Sequence, residues 1–328
     1  MIKNNSASFK KVAIIILNYN GWRDTIECLE SLQKLDYPNY LTVVVDNGSS
    51  DGSVEKIKSW AEGKVRVVEY EREIAEQGGI KELEEELQRY PNDKKIVLIK
   101  NNANLGYSAG NNVGIRYAIQ KNADAVLIVN PDVRIEDTSS LQKMANVMFS
   151  NDSIYIVGPN IIDAMGNRQS PLKEPGFFEE IMNPFVSIFL RKLFGKPLNY
   201  IESIKSDKPY EVEKVSGACL IIKTSFLKEI GLLDENVFLY CEEPILMYIV
   251  QEYNGKIIYI PTVFVKHLHQ EKEENVFKYR QFIKSRLYFL SKYKRYNFLK
   301  IALIKTSYSL VLLSKMLRSL GKRSSFMP

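Results

Sequence analysis

The sequence predicts an α/β fold whose first half is a parallel sheet, and three observations carry that expectation. Short apolar runs rich in β-branched residues recur over the first 135 residues, each stopping at a cluster of turn-forming polar residues. Between them lie stretches with apolar residues three and four apart, the spacing of helices that cover a sheet. One run, residues 125–129 (AVLIV), is apolar at every position, as in a strand buried on both faces.

Taken in order, residues 12–17 (VAIIIL) form the first strand and end at Asn18-Tyr19-Asn20-Gly21. Ile26, Leu29 and Leu32 mark a helix over residues 24–35, broken by Tyr37-Pro38-Asn39. Residues 41–45 form the second strand and leave Asp46 at its end. The turn-rich segment 47–53 follows, where Asp51 or Ser53 can cap a helix running through Trp60. Residues 65–70 are a candidate third strand. The highly charged segment 71–93, with a helix expected over residues 81–90, reads as a solvated insertion. Residues 95–99 resume the sheet, and the Asn- and Gly-rich stretch 101–114 leads into a helix through Gln120. The strand 125–129 then runs into Asn130-Pro131-Asp132. Pro131 has no amide hydrogen for the ladder, so pairing should stop there with Asp132 at the carboxyl end, where open α/β sheets bind their ligands.

The second half is less regular. A helix around residues 141–149 and a strand over 155–159 precede a long irregular stretch, residues 163–208, with Pro171, Pro175, Pro184 and Pro197 around an aromatic-rich core. Order resumes at residues 215–222, then a helix over 225–229 ended by Gly231. Phe238-Leu239-Tyr240-Cys241-Glu242-Glu243 precedes a helix over 245–252, a strand over 256–260 and the segment 262–269.

Composition bounds the function. Hydrophobic residues are 45% and charged residues 26% of the 328, a globular balance. Residues 272–328 carry 14 Lys and Arg against two Asp and Glu, whereas the preceding residues carry 31 against 37. A mildly acidic body with a basic tail argues against nucleic acid as the partner and suits a body held near an anionic surface. Cys28, Cys219 and Cys241 form no CxxC pair, which points to a reducing compartment. The six-residue apolar run before Asn18 is too short for a signal or spanning helix, so the body is expected in the cytoplasm.

The residues able to do chemistry are few. Gly106, Gly110 and Gly114 are spaced four apart, unlike the GxGxxG fingerprint of dinucleotide enzymes, and no Walker GK[ST] or GxSxG elbow is present. The glycines can equally let a helix pack close to a strand. Glu242 and Glu243 are an adjacent carboxylate pair able to cap a helix or to serve as a general base toward a hydroxyl. His267 and His269 are the only histidines and share a face if the chain there is extended, which raises a metal site.

The order of these pieces resembles glycosyltransferase family 2: Ile15 to Asn20, then Val44-Val45-Asp46-Asn47-Gly48-Ser49-Ser50-Asp51-Gly52-Ser53, then Asn104 to Asn112, then Asn130-Pro131-Asp132. It is most similar to rhamnosyltransferase-type members. Ser216 to Cys219, Gly231 to Glu235, Phe238 to Glu243 and His267 fall in the family's order further on. The resemblance implies a GT-A fold, with a Rossmann-like nucleotide-binding half, a mixed central sheet and here a helical basic C-terminal tail. It divides the chain into a nucleotide-sugar half (about residues 10–135), an acceptor half (136–271) and the tail (272–328).

It also implies an inverting, hexosyltransferase-type transfer of a sugar from a nucleotide-diphosphate donor, dTDP-rhamnose or a UDP-sugar, to a glycan or lipid-linked acceptor. By similarity, Leu17, Asn18, Tyr19, Asn20 and Asp46 hold the nucleotide. Asn104, Gly106, Asn111, Asn112 and Asn130 lie along the donor. Asp132 binds Mg²⁺ or Mn²⁺, with His267 as a further ligand, and Glu243, or secondly Glu242, is the base. A hard cation clamps phosphate oxygens with only one or two protein ligands, so this set is chemically sufficient. One departure stands out: the family has Glu-Asp-x-Asp where this chain has Glu242-Glu243-Pro244-Ile245, which also motivates a second reading, a catalytically weak sugar-nucleotide-binding or scaffold protein. The tail mixes apolar runs with Lys300, Lys305 and Lys315, fitting a helix on the inner face of the cell membrane or one packed on the body or a second subunit.

Overall fold

The computed structural model describes residues 9–185, 201–268 and 276–324. Strands β1 (Val12–Asn18), β2 (Tyr40–Asp46), β3 (Arg66–Glu71), β4 (Lys95–Lys100) and β5 (Ala125–Val129) alternate with helices α1 (Trp22–Leu32), α2 (Ser53–Ala61), α3 (Arg72–Glu76), α4 (Lys81–Gln88) and α5 (Tyr107–Gln120). The five strands lie parallel in the order β3-β4-β2-β1-β5. Both faces of this half are covered. Ala13 and Ile15 of β1 pack with Val113 and Tyr117 of α5, while Val12, Ile14 and Ile16 pack with Leu29 of α1 and Ile57 of α2. Each such buried aliphatic side chain contributes about 1.5–3 kcal/mol, which is why these strands are apolar throughout rather than alternating.

Beyond β5 come β6 (Val133–Arg134), α6 (Ser140–Met148), β7 (Ile154–Asp163), α7 (Phe177–Phe185), β8 (Tyr210–Glu211), β9 (Cys219–Lys223), α8 (Thr224–Glu229), α9 (Glu242–Glu252) and β10 (Lys256–His267). They extend the sheet as β5-β9-β7-β10-β6, with β8 on β10. β9 runs antiparallel to both β5 and β7, so the whole sheet is mixed. Two further helices follow among the described residues, α10 (Val276–Lys292) and α11 (Phe298–Ser324).

Three sequence expectations change, and one left open is decided. The last strand continues past residue 260 to His267: three extra residues bulge between Ile260 and Phe264, and Pro261 is tolerated there because a bulge asks for no ladder hydrogen bond. The charged segment 71–93 is only partly solvated. Ala75 and Leu87 are buried, and the Glu84 carboxylate accepts the Tyr70 hydroxyl at 2.9 Å and the Tyr117 hydroxyl at 2.6 Å and pairs with Lys121 at 2.8 Å. The irregular stretch 163–208 contains α7, whose covering helix, α11, comes over a hundred residues later. Of the alternatives open for the basic tail, α10 takes the one packed on the body, burying Ser285, Arg286, Phe289 and Leu290. The Arg286 guanidinium lies 2.6 Å from both Glu174 and Glu180, and Lys214 and Lys294 pair with Glu174 at 2.5 and 3.1 Å. His269, read with His267 as a possible ligand pair, lies outside the described residues.

Candidate active site

The carboxyl ends of β1 and β2 set the first wall. Asn18 and Asp46 are register partners, and the Asn18 amide donates to Asp46 Oδ1 at 2.7 Å. The other carboxylate oxygen accepts the Ser49 N–H at 3.0 Å, and Thr25 Oγ1 donates to Asn18 Oδ1 at 2.8 Å. Asn20, with φ at +51°, accepts the Ser50 N–H at 2.8 Å. Leu17 is half-buried and Asn18 and Asp46 are buried bracing groups, whereas Tyr19 and Asn20 are exposed on the rim.

The loop from Asn104 to Asn112 forms the second wall. Asn47, which the sequence reading left inside a motif without a role, binds it to the sheet: its amide donates to Asn104 Oδ1 (2.9 Å) and Gly106 O (3.1 Å), and its oxygen accepts from Asn101 and Leu105. Gly106 has φ +84°, and a Cβ there would stand 2.3 Å from the Phe238 carbonyl, which accepts the Tyr107 N–H at 2.7 Å. Gly106→Ala is therefore expected to cost at least about 2 kcal/mol, read as a lower denaturant midpoint at constant slope. Gly110 and Gly114 are packing spacers: added Cβ atoms would meet Leu17 Cδ1 at 2.6 Å and Ile15 Cγ2 at 2.8 Å. Asn111 is buried with its Oδ1 unpartnered among the described residues. Asn112 is fully buried and exchanges hydrogen bonds with the Leu233 backbone and Glu235, so it braces the 233–235 turn.

At the end of β5, Asn130 donates its N–H to Ala218 O at 2.8 Å. Asp132 Oδ1 stands 3.1 Å from His267 Nε2, where β10 pairs with β6. His267 Nδ1 is 2.7 Å from Gln169 Oε1, which orients the ring and turns Nε2 toward Asp132. Cis ligands on an octahedral cation at ~2.1 Å are about 3.0 Å apart, so the pair has the spacing of two adjacent ligands. Among the described residues no group of three or more His, Cys, Asp or Glu side chains could hold a metal ion. Gln169 carried no signal in the sequence.

The third wall is the start of α9. Tyr240 and Cys241 both sit in the left-handed region, at φ +69° and +70°, a strained pair costing about 1–3 kcal/mol per residue. Helix α10 holds it: Ser285 Oγ donates to Leu239 O at 2.8 Å, and the Tyr240 and Phe282 rings meet edge to face at 6.0 Å. The turn aims Glu243 at the 216–218 strand entry, where its Oε1 accepts the Gly217 N–H at 3.0 Å. Glu242 differs. Its Oε2 is buried without a partner among the described residues, and burial, reinforced by the Glu243 charge, pushes its carboxyl well above the usual carboxylate range. Of the two, Glu242 is the one whose carboxyl is driven toward the neutral form. Ile245, at the position where the family motif has its second acid, is buried in the core.

Gly217-Ala218 joins the walls, since Ala218 touches Asn130 and Gly217 touches both Glu243 and the Tyr107 hydroxyl, which donates to Gly217 O at 2.7 Å. Asn130, two residues before Asp132, and Glu243 are thus both bonded to the 217–218 segment next to the carboxyl end of β5. A family model described as Glycosyl transferase family 2 matches residues 13–78 and 74–231. The low-salt glycan biosynthesis hexosyltransferase Agl10 of Haloferax volcanii is 29% identical over 208 residues, covering 62% of this chain and 59% of its own. The N-acetylglucosaminyl-diphospho-decaprenol L-rhamnosyltransferase of Mycobacterium tuberculosis is 27% identical over 194 residues, covering 55% and 60%. The chain thus spans about three fifths of the length of these relatives. The mannosyltransferase PcManGT from Pyrobaculum calidifontis, solved with GDP-Man and Mn²⁺, superposes with a TM-score of 0.56 at 14% identity, over 98% of this chain and 77% of that one. With the family model spanning most of the sheet and the architecture shared, the chain has a GT-A fold and belongs to glycosyltransferase family 2.

Proposed function

We propose that the protein transfers a sugar, with inversion, from a nucleotide-diphosphate donor to a hydroxyl of a glycan or lipid-linked acceptor. The observation that carries this reading is the Asp132–His267 pair, 3.1 Å apart, with Asn130 and Glu243 both bonded to the 217–218 segment. The nucleobase rests against Leu17 to Asn20, with Asp46 acting through the loop it braces because both its oxygens are already engaged. Asn104 and Asn130 line the donor, while Gly106, Asn111 and Asn112 are buried and support the loop from behind. Asp132 and His267 would hold Mg²⁺ or Mn²⁺, which supplies positive charge to the departing diphosphate. Glu243 takes the proton of the acceptor hydroxyl as its oxygen attacks the anomeric carbon opposite the diphosphate, and attack from that side inverts the centre. Gly217 N–H fixes the direction of the Glu243 carboxylate.

dTDP-rhamnose and UDP-sugars are the favoured donors, and the naming of one relative for a decaprenol-linked sugar supports a lipid-linked acceptor. The basic tail supports a peripheral position on the inner face of the cell membrane, and among the described residues no helix is long and apolar enough to cross a membrane. Burial of Ile245 favours the second reading, a sugar-nucleotide-binding protein with weak catalysis, because an acid is missing beside the base.

The test is thermal melting with nucleotide diphosphates and Mn²⁺, because a ligand at a hundred times its Kd stabilises the native state by about 2.7 kcal/mol. Mn²⁺ with UDP or dTDP is expected to raise Tm of the wild type more than nucleotide alone, and Asp132→Asn to abolish the Mn²⁺ increment. No response to any nucleotide, or an undiminished increment in the variant, would overturn the reading.

A further inference from the structure

The outer face of α11 is the largest feature the site leaves unexplained. One side of this helix is buried on the body through Ile304, Ser307, Tyr308 and Val311. On another side, Leu299, Leu303, Thr306, Leu310, Leu313 and Leu317 follow at steps of four and three residues, and the five leucines are 47–66% exposed. Water-facing leucines at that spacing form one continuous apolar stripe. At 3.6 residues per turn, Lys300 and Lys305 fall on opposite flanks of the stripe. Helix α7, tied to α11 by the Ser307 hydroxyl donating to Ile181 O at 2.8 Å, also exposes Phe178 and Met182.

Steps of four and three would also suit a coiled coil with a second copy. Charge decides against that occupant. Residues 276–324 contain thirteen Lys and Arg and no Asp or Glu, so two copies laid side by side would align like charges with no acidic partner. An anionic lipid surface offers both an apolar boundary and the opposite charge. Among the described residues no helix can span a bilayer, so the contact is one of lying on it.

We propose that the leucine stripe of α11 is a docking surface for a bilayer containing anionic lipid, with the helix lying along the headgroup boundary and Lys300 and Lys305 reaching the headgroups. This rests on the proposed function only for the acceptor's location, since the chemistry of the stripe is independent of the reaction. It specifies which residues enter the lipid and which side of the tail faces it.

Co-sedimentation of the full chain with phosphatidylcholine vesicles, with and without phosphatidylglycerol, tests it. Binding is expected only with phosphatidylglycerol. Leu303→Glu with Leu310→Glu, both exposed and so compatible with folding, is expected to weaken it by roughly thirtyfold or more. Lys300→Glu with Lys305→Glu is expected to weaken it by at least about fivefold per residue. Absence of binding to anionic vesicles, or binding indifferent to the leucine pair, would overturn the proposal. So would a lipid-free dimer, seen by light scattering, that the leucine substitutions dissolve. Nucleotide-dependent melting of the same variants without vesicles should match the wild type, so loss of the lipid surface and loss of the donor site are read separately.

Discussion

Glu243→Gln is expected to lower kcat by about a thousandfold while the variant still melts higher with donor and Mn²⁺, because a positioned general base contributes about 10²- to 10⁴-fold. The amide keeps the shape and can still meet the Gly217 N–H through its oxygen, but it cannot take a proton. Glu242→Gln separates the neighbours. Burial and the adjacent charge already hold Glu242 neutral, so an amide there should leave kcat within about tenfold. It should also raise stability at neutral pH: a carboxyl whose folded pKa is raised stabilises below the unfolded value and loses that contribution as pH rises, and Gln does not titrate. Initial rates at saturating donor decide the matter. A wild type with no turnover on any donor would favour the binding-protein reading, and equal losses for both variants would remove the assignment of Glu243 alone.

Arg286→Met is expected to be the most destabilising single change discussed. It leaves Glu174 and Glu180 buried beneath α10 without the guanidinium both contact at 2.6 Å, and stranding one side of a buried pair costs about 3–5 kcal/mol. For a chain of this size that is about 4–7 °C in Tm. The same network fixes a pH response. Burial alone would raise the Glu174 carboxyl, but Arg286, Lys214 and Lys294 outweigh it and hold it down at about 2. A depressed folded pKa means stabilisation fully present above the unfolded value, about 4.3, and lost as pH falls toward 2. Melting curves between pH 5 and 2 should therefore fall more steeply for the wild type than for Arg286→Met. Parallel curves would show that the network does not govern acid stability.

What could be read from the sequence was what is local. Strands covered on both faces declare themselves by unbroken apolar runs, and Asn130-Pro131-Asp132 ends β5 where its residue types require. The glycines at 106, 110 and 114 left packing and ligand contact equally open. Measured approaches resolve two of them, since Leu17 and Ile15 occupy the space a side chain would need. The parts that stayed hidden depend on residues far away in the chain. Gln169 gains its role from His267 ninety-eight residues later, and Asn47 from a loop fifty-seven residues on. Helix α7 sits in a proline-rich stretch and is stabilised by α11. The bulge in β10 begins at Pro261, just past residue 260 where the strand was expected to end.

The hold of Ser285 on Leu239 has a consequence for how the molecule comes into being. The strained turn carrying the acid pair is closed by a hydroxyl 46 residues downstream. During synthesis at 5–20 residues per second, that interval lasts about two to nine seconds. Through it the nucleotide half can already be assembled while the Tyr240–Cys241 turn remains free to relax. The ribosome thus delivers the donor cradle first and the proton acceptor's final aim last.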